Sequence, residues 1–444
     1  MEDGEKINLF EAALGKLIPV LDAHGVDYAF MPARTSAALL LHNDLDVYVA
    51  DISQSTKALK SFVKKEADID AIWGKDHATG RRFSLLCRNK NSEYALFPGP
   101  DLVIFPTMKG NIAFRIQDAV KRAKKDADGK RVLKEEDAFL LYAVKSIEKG
   151  RLGLAEKQYL ANLYQHASEA VEKRLHEVLG PSLASLIAGE VMHNKDNNVE
   201  LLETLRAELY IRNAKRLSKY WWNLSRSLKR ALFPSGLFVA LLGPDGCGKS
   251  SVIGRLLPAV RGILASSAQE TFHLRPALGR RKDGEAKPVI DPHGRPPRNI
   301  FSSIAKIGYF FFDYVLGYFF VIRPKLVRST FVVFDRYYHD LLVDPKRYRY
   351  GGPMWLARWV GKLIPKPDLF VLLDAPPEVL QSRKKEVPFE ETSRQRAAYL
   401  QLVRGMKNGV VIDASRSLDQ VVAEVEKVIL NSLVERTRRR LKLA

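Results

Sequence analysis

Leu237-Phe-Val-Ala-Leu-Leu242 runs directly into Gly243-Pro-Asp-Gly-Cys-Gly-Lys-Ser250, and Ser251-Val-Ile-Gly-Arg-Leu-Leu257 follows at helical spacing. A strand, a Gly-x-x-x-x-Gly-Lys-Ser loop and a helix in that order make a phosphate cradle. Gly243, Gly246 and Gly248 let main-chain amides turn inward around phosphate oxygens with no Cβ in the way. The helix behind them points its partial positive end at the same place. Lys249 is spaced to reach the β- and γ-phosphates of ATP, and the Ser250 hydroxyl to ligate Mg²⁺. Asp245, Cys247 and Ser251 complete the nucleotide-contacting set. The chemistry is phosphoryl transfer, which demands charge neutralisation and in-line positioning more than covalent participation. Asp245 is the odd member, because an acid here repels phosphate unless it faces a hydroxyl or the metal.

Further along, Asp335 ends the apolar run Val332-Val-Phe-Asp335. A carboxylate at the end of a strand beside the loop strand can organise Mg²⁺ and its water, or take the acceptor's proton. Arg336 offers a fork for an acceptor phosphate that lysine would not reproduce. Arg383, Lys384 and Lys385, with Arg394 or Arg396, are spaced to close over a transferring group. Arg275 is a further acceptor-side candidate. Arg347, Tyr348, Arg349 and Tyr350 suit an anionic acceptor carrying a ring, or form a surface loop.

In chain order, the Asp-bearing phosphate loop, Phe312-Asp-Tyr314, Asp335-Arg-Tyr337, Pro367-Asp-Leu-Phe-Val-Leu-Leu-Asp374, the basic stretch from Arg383, Tyr399 and Val410-Val-Ile-Asp-Ala414 resemble the thymidylate kinase family over about residues 237 to 432. The resemblance implies ATP and Mg²⁺ as cofactors. It implies transfer of the γ-phosphoryl group to a nucleoside monophosphate, thymidine monophosphate by default, or to a related phosphorylated small molecule. It implies Lys249, Asp335, Arg336 and Arg383 as catalytic residues. The acceptor half departs from the family. His273-Leu-Arg-Pro276 and a long Pro/Gly/basic segment to Arg298 replace its Arg-Glu-Pro-Gly-Gly-like turn, and Tyr338-His-Asp340 and Asp344 to Gly352 do not match its thymidine-side pattern.

Near the other end, Asp44-Leu-Asp46 places two carboxylates on one face of a strand, and Asp101 opens a later strand. Three such carboxylates suit paired Mg²⁺ ions. The segment resembles the nucleotidyltransferase fold over about residues 8 to 120. Met31-Pro-Ala-Arg-Thr-Ser36 lacks the glycine that grips triphosphate in that fold, which points to a degenerate, substrate-binding or regulatory domain.

These motifs need a frame. Residues 237 to 432 alternate strands and helices, the pattern of an α/β domain with a parallel P-loop sheet covered by helices on both faces. The expected domains are 1–125, α+β and nucleotidyltransferase-like; 126–235, a helical middle region with a basic connecting helix; and 236–444, thymidylate kinase-like with a basic tail. Ile307–Ile322 is shorter than the roughly 20 residues of a membrane span and contains Asp313, so it reads as a buried helix and not a transmembrane segment. The basic segment 215–233 reads as a helix packed through Leu217, Trp221, Leu224 and Leu228, with a peripheral membrane contact as the rival.

The formal charge of +20 favours anionic partners and leaves nucleic acid open. The 2 cysteines, Cys87 and Cys247, supply no disulfide framework or cysteine zinc site; with the acidic start Met1–Lys6, this is the expectation for a cytoplasmic chain. A homodimer is compatible with the reading. The rivals are a P-loop ATPase acting with nucleic acid, a nucleotide-binding regulator without turnover, and nucleotidyl transfer by the N-terminal domain.

Overall fold

A computed structural model describes residues 3–32, 45–77, 79–88, 94–104, 115–127, 129–150, 152–192, 203–205, 207, 217–260, 268–276, 293–294, 296–385 and 387–442. They fall into two compact units, Met1–Lys229 with Arg436–Ala444, and Arg230–Glu435. The expected N-terminal and helical regions therefore share one unit, and the last residues of the chain group with them.

In the first unit, helix α1 (Asp3–Ala23) and α2 (Ile52–Lys65) accompany a five-stranded sheet of order β1-β2-β5-β4-β3. Its strands are β1 (Tyr28–Ala29), β2 (Leu45–Val49), β3 (Ile69–Asp76), β4 (Gly80–Arg88) and β5 (Tyr94–Val103). Strand β2 runs parallel to β5; the other pairs are antiparallel. Asp51 starts α2 by accepting hydrogen bonds from the Ser53 and Gln54 amides. The short helix α3 (Ile116–Lys121) and a two-stranded ribbon, β6 (Lys124–Lys125) and β7 (Arg131–Val132), lead into the helical part. There α4 (Glu135–Lys149), α5 (Leu154–Leu179) and α6 (Pro181–Met192) surround a core that includes Phe139, Leu160, Leu175 and Leu183. The basic end of the chain is not a solvated tail: Arg438 donates to Asp70 Oδ1 at 2.6 Å and Leu441 is buried in the unit's core.

Helix α7 (Leu217–Leu232) inverts the expected amphipathicity. Tyr220, Trp221, Leu224 and Leu228 are exposed. The Trp222 indole donates to the His77 carbonyl at 3.0 Å, and the half-buried side consists of Trp222, Asn223, Ser225 and Arg226. Trp222 anchors the helix and turns its apolar stripe outward.

The second unit is a five-stranded, all-parallel sheet of order β12-β11-β8-β10-β9. Its strands are β8 (Leu237–Leu242), β9 (Gln269–His273), β10 (Phe331–Asp335), β11 (Leu369–Asp374) and β12 (Gly409–Asp413). Every residue of β8 is buried, which is why it reads as a continuous apolar run and not an alternation. Helices α8 (Lys249–Val260), α9 (Ile300–Gly317), α10 (Arg323–Val327), α11 (His339–Val343), α12 (Met354–Leu363), α13 (Pro377–Arg383), α14 (Phe389–Arg404) and α15 (Leu418–Leu441) complete the fold. The expected short buried helix at 307–322 is longer and more exposed than its sequence suggested. A π-helical turn, Tyr318–Ile322, joins α9 to α10 in a 28-residue run long and apolar enough to cross a membrane. Only one stripe of it, including Ile307, Phe310, Tyr314, Ile322 and Leu326, packs into the core of the unit.

Candidate active site

The chain leaves β8 toward the edge strand β9, returns through β10 and then crosses to β11 on the other side of β8. Ligands of open parallel sheets bind beyond the carboxyl ends of strands at such a reversal, and the Gly243–Ser250 loop lies there. Gly243, Gly246 and Gly248 have φ of 143°, 83° and 90°, values that favour glycine. At Gly246 an added Cβ would come within 2.7 Å of the Leu380 carbonyl oxygen. Lys249 is buried and lies back on the loop, its ammonium donating to the carbonyls of Gly243 at 2.8 Å and Pro244 at 2.9 Å.

Strand register brings Asp335 opposite Leu241 of β8 and His273 of β9. The Ser250 hydroxyl lies 3.4 Å from Asp335 Oδ2, while Asp335 Oδ1 is buried with no hydrogen-bond partner. Burial works to raise the Asp335 carboxyl, but the His273 hydrogen bond and the Lys249 and Arg336 charges outweigh it and hold its pKa below the usual carboxylate value. An ionised carboxylate with one unsatisfied oxygen beside a serine hydroxyl fits a hard divalent cation such as Mg²⁺. Leu274 and Arg336, which follow the two neighbouring strands, adopt left-handed φ of 62° and 69°. Each costs on the order of 1–3 kcal/mol, and such strain concentrates at working sites.

Asp245 faces two cations. Arg336 and Arg347 both donate to it, so the acid in the phosphate loop is neutralised by two guanidinium groups. The other arm of Arg336 donates to Asp340 Oδ2 at 2.6 Å. Asp340 is fully buried and also accepts from Tyr348 at 2.7 Å and from Tyr399. The fork expected to hold an acceptor phosphate thus bridges two carboxylates. Tyr348 and Tyr350 are buried, so the segment around them is not a surface loop.

Three of the expected lid cations are also engaged. Arg383 donates to the Ala414 carbonyl at 2.8 Å, Arg396 grips Asp374 with two bonds at 2.8 and 2.9 Å, and Arg394 pairs with Glu391 at 2.6 Å. Arg275 pairs with buried Asp313 at 3.1 Å and lies over Tyr309 and Phe310, 5.0 and 5.1 Å from the ring centroids. Beside it Lys306 lies 5.5 Å from the centroid of the Phe310 ring and 5.8 Å from that of Tyr348. Burial, with the neighbouring Arg298, Arg275 and Arg349 charges, pushes the Lys306 ammonium down to about 8. Lys306, Asp340 and Asp313, the partner of the expected Arg275, were missed as site residues. A lone acid inside the apolar run 307–322 signals a buried cation partner, and Arg336 and Asp340 stand one helical turn apart in sequence.

His293, Asp344 and Glu391 offer ligand atoms within 4.8 Å of one another. Their carboxylates already receive protein donors, Asp344 from His293 and Gln395 at 3.0 Å each, and Glu391 from Arg394.

In the first unit, Asp46 stands in register with Asp101 on the parallel pair β2 and β5. Asp46 is ion-paired with Lys145 of α4. Asp44 lies outside the described residues, and Asp101 is described only by its place in the strand.

The sheet order, glycine loop, lysine and strand-end aspartate define a P-loop nucleotide-binding domain of the kind that handles phosphoryl groups. Comparison with known proteins narrows the class: the chain is homologous to thymidylate kinases over about 44% of its length. It is 27% identical over 205 residues to a "Probable thymidylate kinase" of Pyrobaculum aerophilum, covering 43% of this chain and 95% of that protein. It is 27% identical over 216 residues to a "Thymidylate kinase" of Oenococcus oeni, covering 45% and 97%. A shorter stretch of 119 residues is 38% identical to a "Probable thymidylate kinase" of Archaeoglobus fulgidus, covering 24% and 57%. The crystal structure of thymidylate kinase from Ehrlichia chaffeensis aligns with a TM-score of 0.31 and 17% identity, over 44% of this chain and 98% of that one. No family model matches the chain.

Proposed function

We propose that the second unit is an ATP-dependent kinase that transfers the γ-phosphoryl group to a nucleoside monophosphate, with thymidine monophosphate the first acceptor to test. The supporting observation is the meeting of the glycine loop with Asp335, whose buried Oδ1 lacks a protein partner next to the Ser250 hydroxyl. Amides of the loop from Gly243 to Ser251 hold the polyphosphate. Lys249 turns from the Gly243 and Pro244 carbonyls toward the phosphate oxygens. Ser250 and Asp335 hold Mg²⁺, which when bound neutralises phosphate charge.

The acceptor's phosphate belongs near Arg275 and Lys306. Leu274 ties this corner to the reaction centre, its amide donating to the Asp335 carbonyl at 2.9 Å. Tyr309, beside Arg275, adds aromatic surface for a base. Arg336 is a positioning residue here, aligning Asp245 with Asp340. The first unit is better suited to binding or regulation than to nucleotidyl transfer, because Lys145 neutralises Asp46.

Labelled ATP and Mg²⁺ offered with each nucleoside monophosphate and with sugar phosphates tests the proposal. A labelled diphosphate from one nucleotide is expected. ATP hydrolysis stimulated by nucleic acid with no phosphorylated acceptor would replace the kinase by an ATPase. Labelled nucleotide transferred to protein or RNA and lost in Asp46→Ala would return catalysis to the first unit.

A further inference from the structure

The corner beside Arg275 gathers more positive charge than a single phosphate calls for. Arg275, Arg298, Lys306 and Arg349 come from three stretches of the chain and meet there. Arg275 and Lys306 share the Phe310 ring, 5.1 and 5.5 Å from its centroid. The Lys306 ammonium donates to the carbonyl of Tyr348, next in sequence to Arg349. The Arg298 amide donates to the Arg349 carbonyl at 3.0 Å, and the Arg349 guanidinium donates to the Pro296 carbonyl at 3.1 Å. Arg349 holds a left-handed φ of 51°, a conformation that side chains disfavour and that concentrates at ligand clamps.

No acid balances this cluster. Asp313 is the only carboxylate between Asn299 and Phe334, and there is none between Pro345 and Pro367. Asp313 already pairs with Arg275 at 3.1 Å. Among the described residues no carboxylate pairs with Arg298, Lys306 or Arg349. The repulsion is felt at Lys306, where burial and the Arg298, Arg275 and Arg349 charges together disfavour the ammonium. A ligand that brings negative charge relieves it. One phosphate set against Lys306 leaves Arg349 and exposed Arg298 with nothing to hold. Both are guanidinium groups, whose forks fit a phosphate or a carboxylate equally. Building on the kinase reading, we propose that the acceptor carries a second anionic group and that Arg298 and Arg349 bind it. The acceptor's first phosphate oxygen attacks the γ-phosphorus, the bond to the bridging oxygen breaks and ADP leaves. The second group takes no part in that exchange and only holds the acceptor in place.

The test offers labelled ATP and Mg²⁺ with two matched pairs of acceptors. Thymidine monophosphate is set against the thymidine bisphosphate with a second phosphate on its sugar. Uridine monophosphate is set against orotidine monophosphate, whose base bears a carboxylate. In at least one pair the doubly charged acceptor should lead in kcat/KM by about tenfold or more, as for one charge-assisted hydrogen bond. That lead should shrink as salt rises. Arg298→Gln and Arg349→Gln should each cut it by about fivefold or more at an unchanged melting temperature. Monophosphates that are phosphorylated as well as their doubly charged counterparts overturn the inference and leave the kinase reading standing. A lead that survives in both variants overturns it as well. If no acceptor is labelled, the kinase reading falls, and calorimetry without ATP judges the cluster by itself. Tighter binding of a doubly charged nucleotide, lost in both variants, then upholds the anion site, and equal binding of each pair overturns it.

Discussion

Asp340→Asn isolates the electrostatic hinge of the site. Asp340 and Arg336 are both buried, and their contact at 2.6 Å ties Arg336 to its own segment. Removing one charge of a buried pair costs about 3–5 kcal/mol, because the remaining ion stays desolvated. Asp245 still holds the other arm of Arg336, which favours the lower part of that range. Against this, the new amide turns an N–H toward one of two hydroxyl donors, Tyr348 or Tyr399, and an unmet buried polar group costs about 1–3 kcal/mol. The effects share atoms and do not add, so the expected loss is about 3–5 kcal/mol.

Because the chain has two units, the clean readout is amide hydrogen exchange along β10, which reports local opening in this unit. Tyr399→Phe, which deletes one donor to a charged acceptor, should cost about 1.5–3 kcal/mol in the same assay. Adding Arg336→Met to Asp340→Asn should restore part of the loss by removing the stranded cation. An Asp340→Asn protein within about 1 kcal/mol of the parent, or a double variant worse than the sum of its parts, would refute the buried-pair reasoning.

Lys249→Ala should lower turnover at least about a hundredfold with a smaller change in ATP affinity, since the ammonium is needed most as the γ-phosphoryl group leaves; normal turnover would remove Lys249 from the mechanism. With Lys306 titrating at about 8, its positive charge is present below that pH and lost above it, so acceptor KM should rise about tenfold between pH 7 and pH 9. Lys306→Arg should flatten that rise, and an unchanged profile in the variant would place the acceptor elsewhere. His339 is buried against Phe370 and Tyr337, and burial with the Lys366 charge lowers it to about 4 from 6.5. In that window the unfolded chain holds the extra proton, so stability falls with pH, by roughly 2 kcal/mol between pH 7 and pH 5. His339→Phe should remove that increment from the acid-unfolding curve, and identical curves would show that His339 does not carry it.

The nucleotide side was legible because it is local. Strand, glycine turn, lysine and helix are contiguous, and buried parallel strands advertise themselves as apolar runs, so β8 falls on the expected residues. Asp335 was legible for the same reason, as the polar residue that ends such a run. The proposed acceptor side was legible only in Arg275 itself, because its contacts join distant segments. Asp245 meets residues 91 and 102 positions away, and Arg275 meets one 38 away. Helical periodicity told which residues share a stripe but not which stripe faces the core. On α7 the anchoring group was Trp222 where Trp221 was expected, a difference of one residue that turns the helix by about 100°.

Asp245 shows why the engaged arginines need not count against phosphoryl transfer. A carboxylate left bare in the loop would oppose every phosphate brought there. Paired with Arg336 and Arg347, it leaves the cluster of Asp245, Asp340 and two guanidinium groups neutral, so the loop amides and Lys249 supply the attraction. The acid then fixes both guanidinium planes before any ligand arrives, and positioning is what phosphoryl transfer asks of a protein. A hydroxyl-bearing acceptor that draws Asp245 away from Arg347 would free that cation beside the reacting groups. Substrate and charge would then arrive together, and Asp245→Asn would weaken acceptor binding and turnover while leaving the ATP cradle intact.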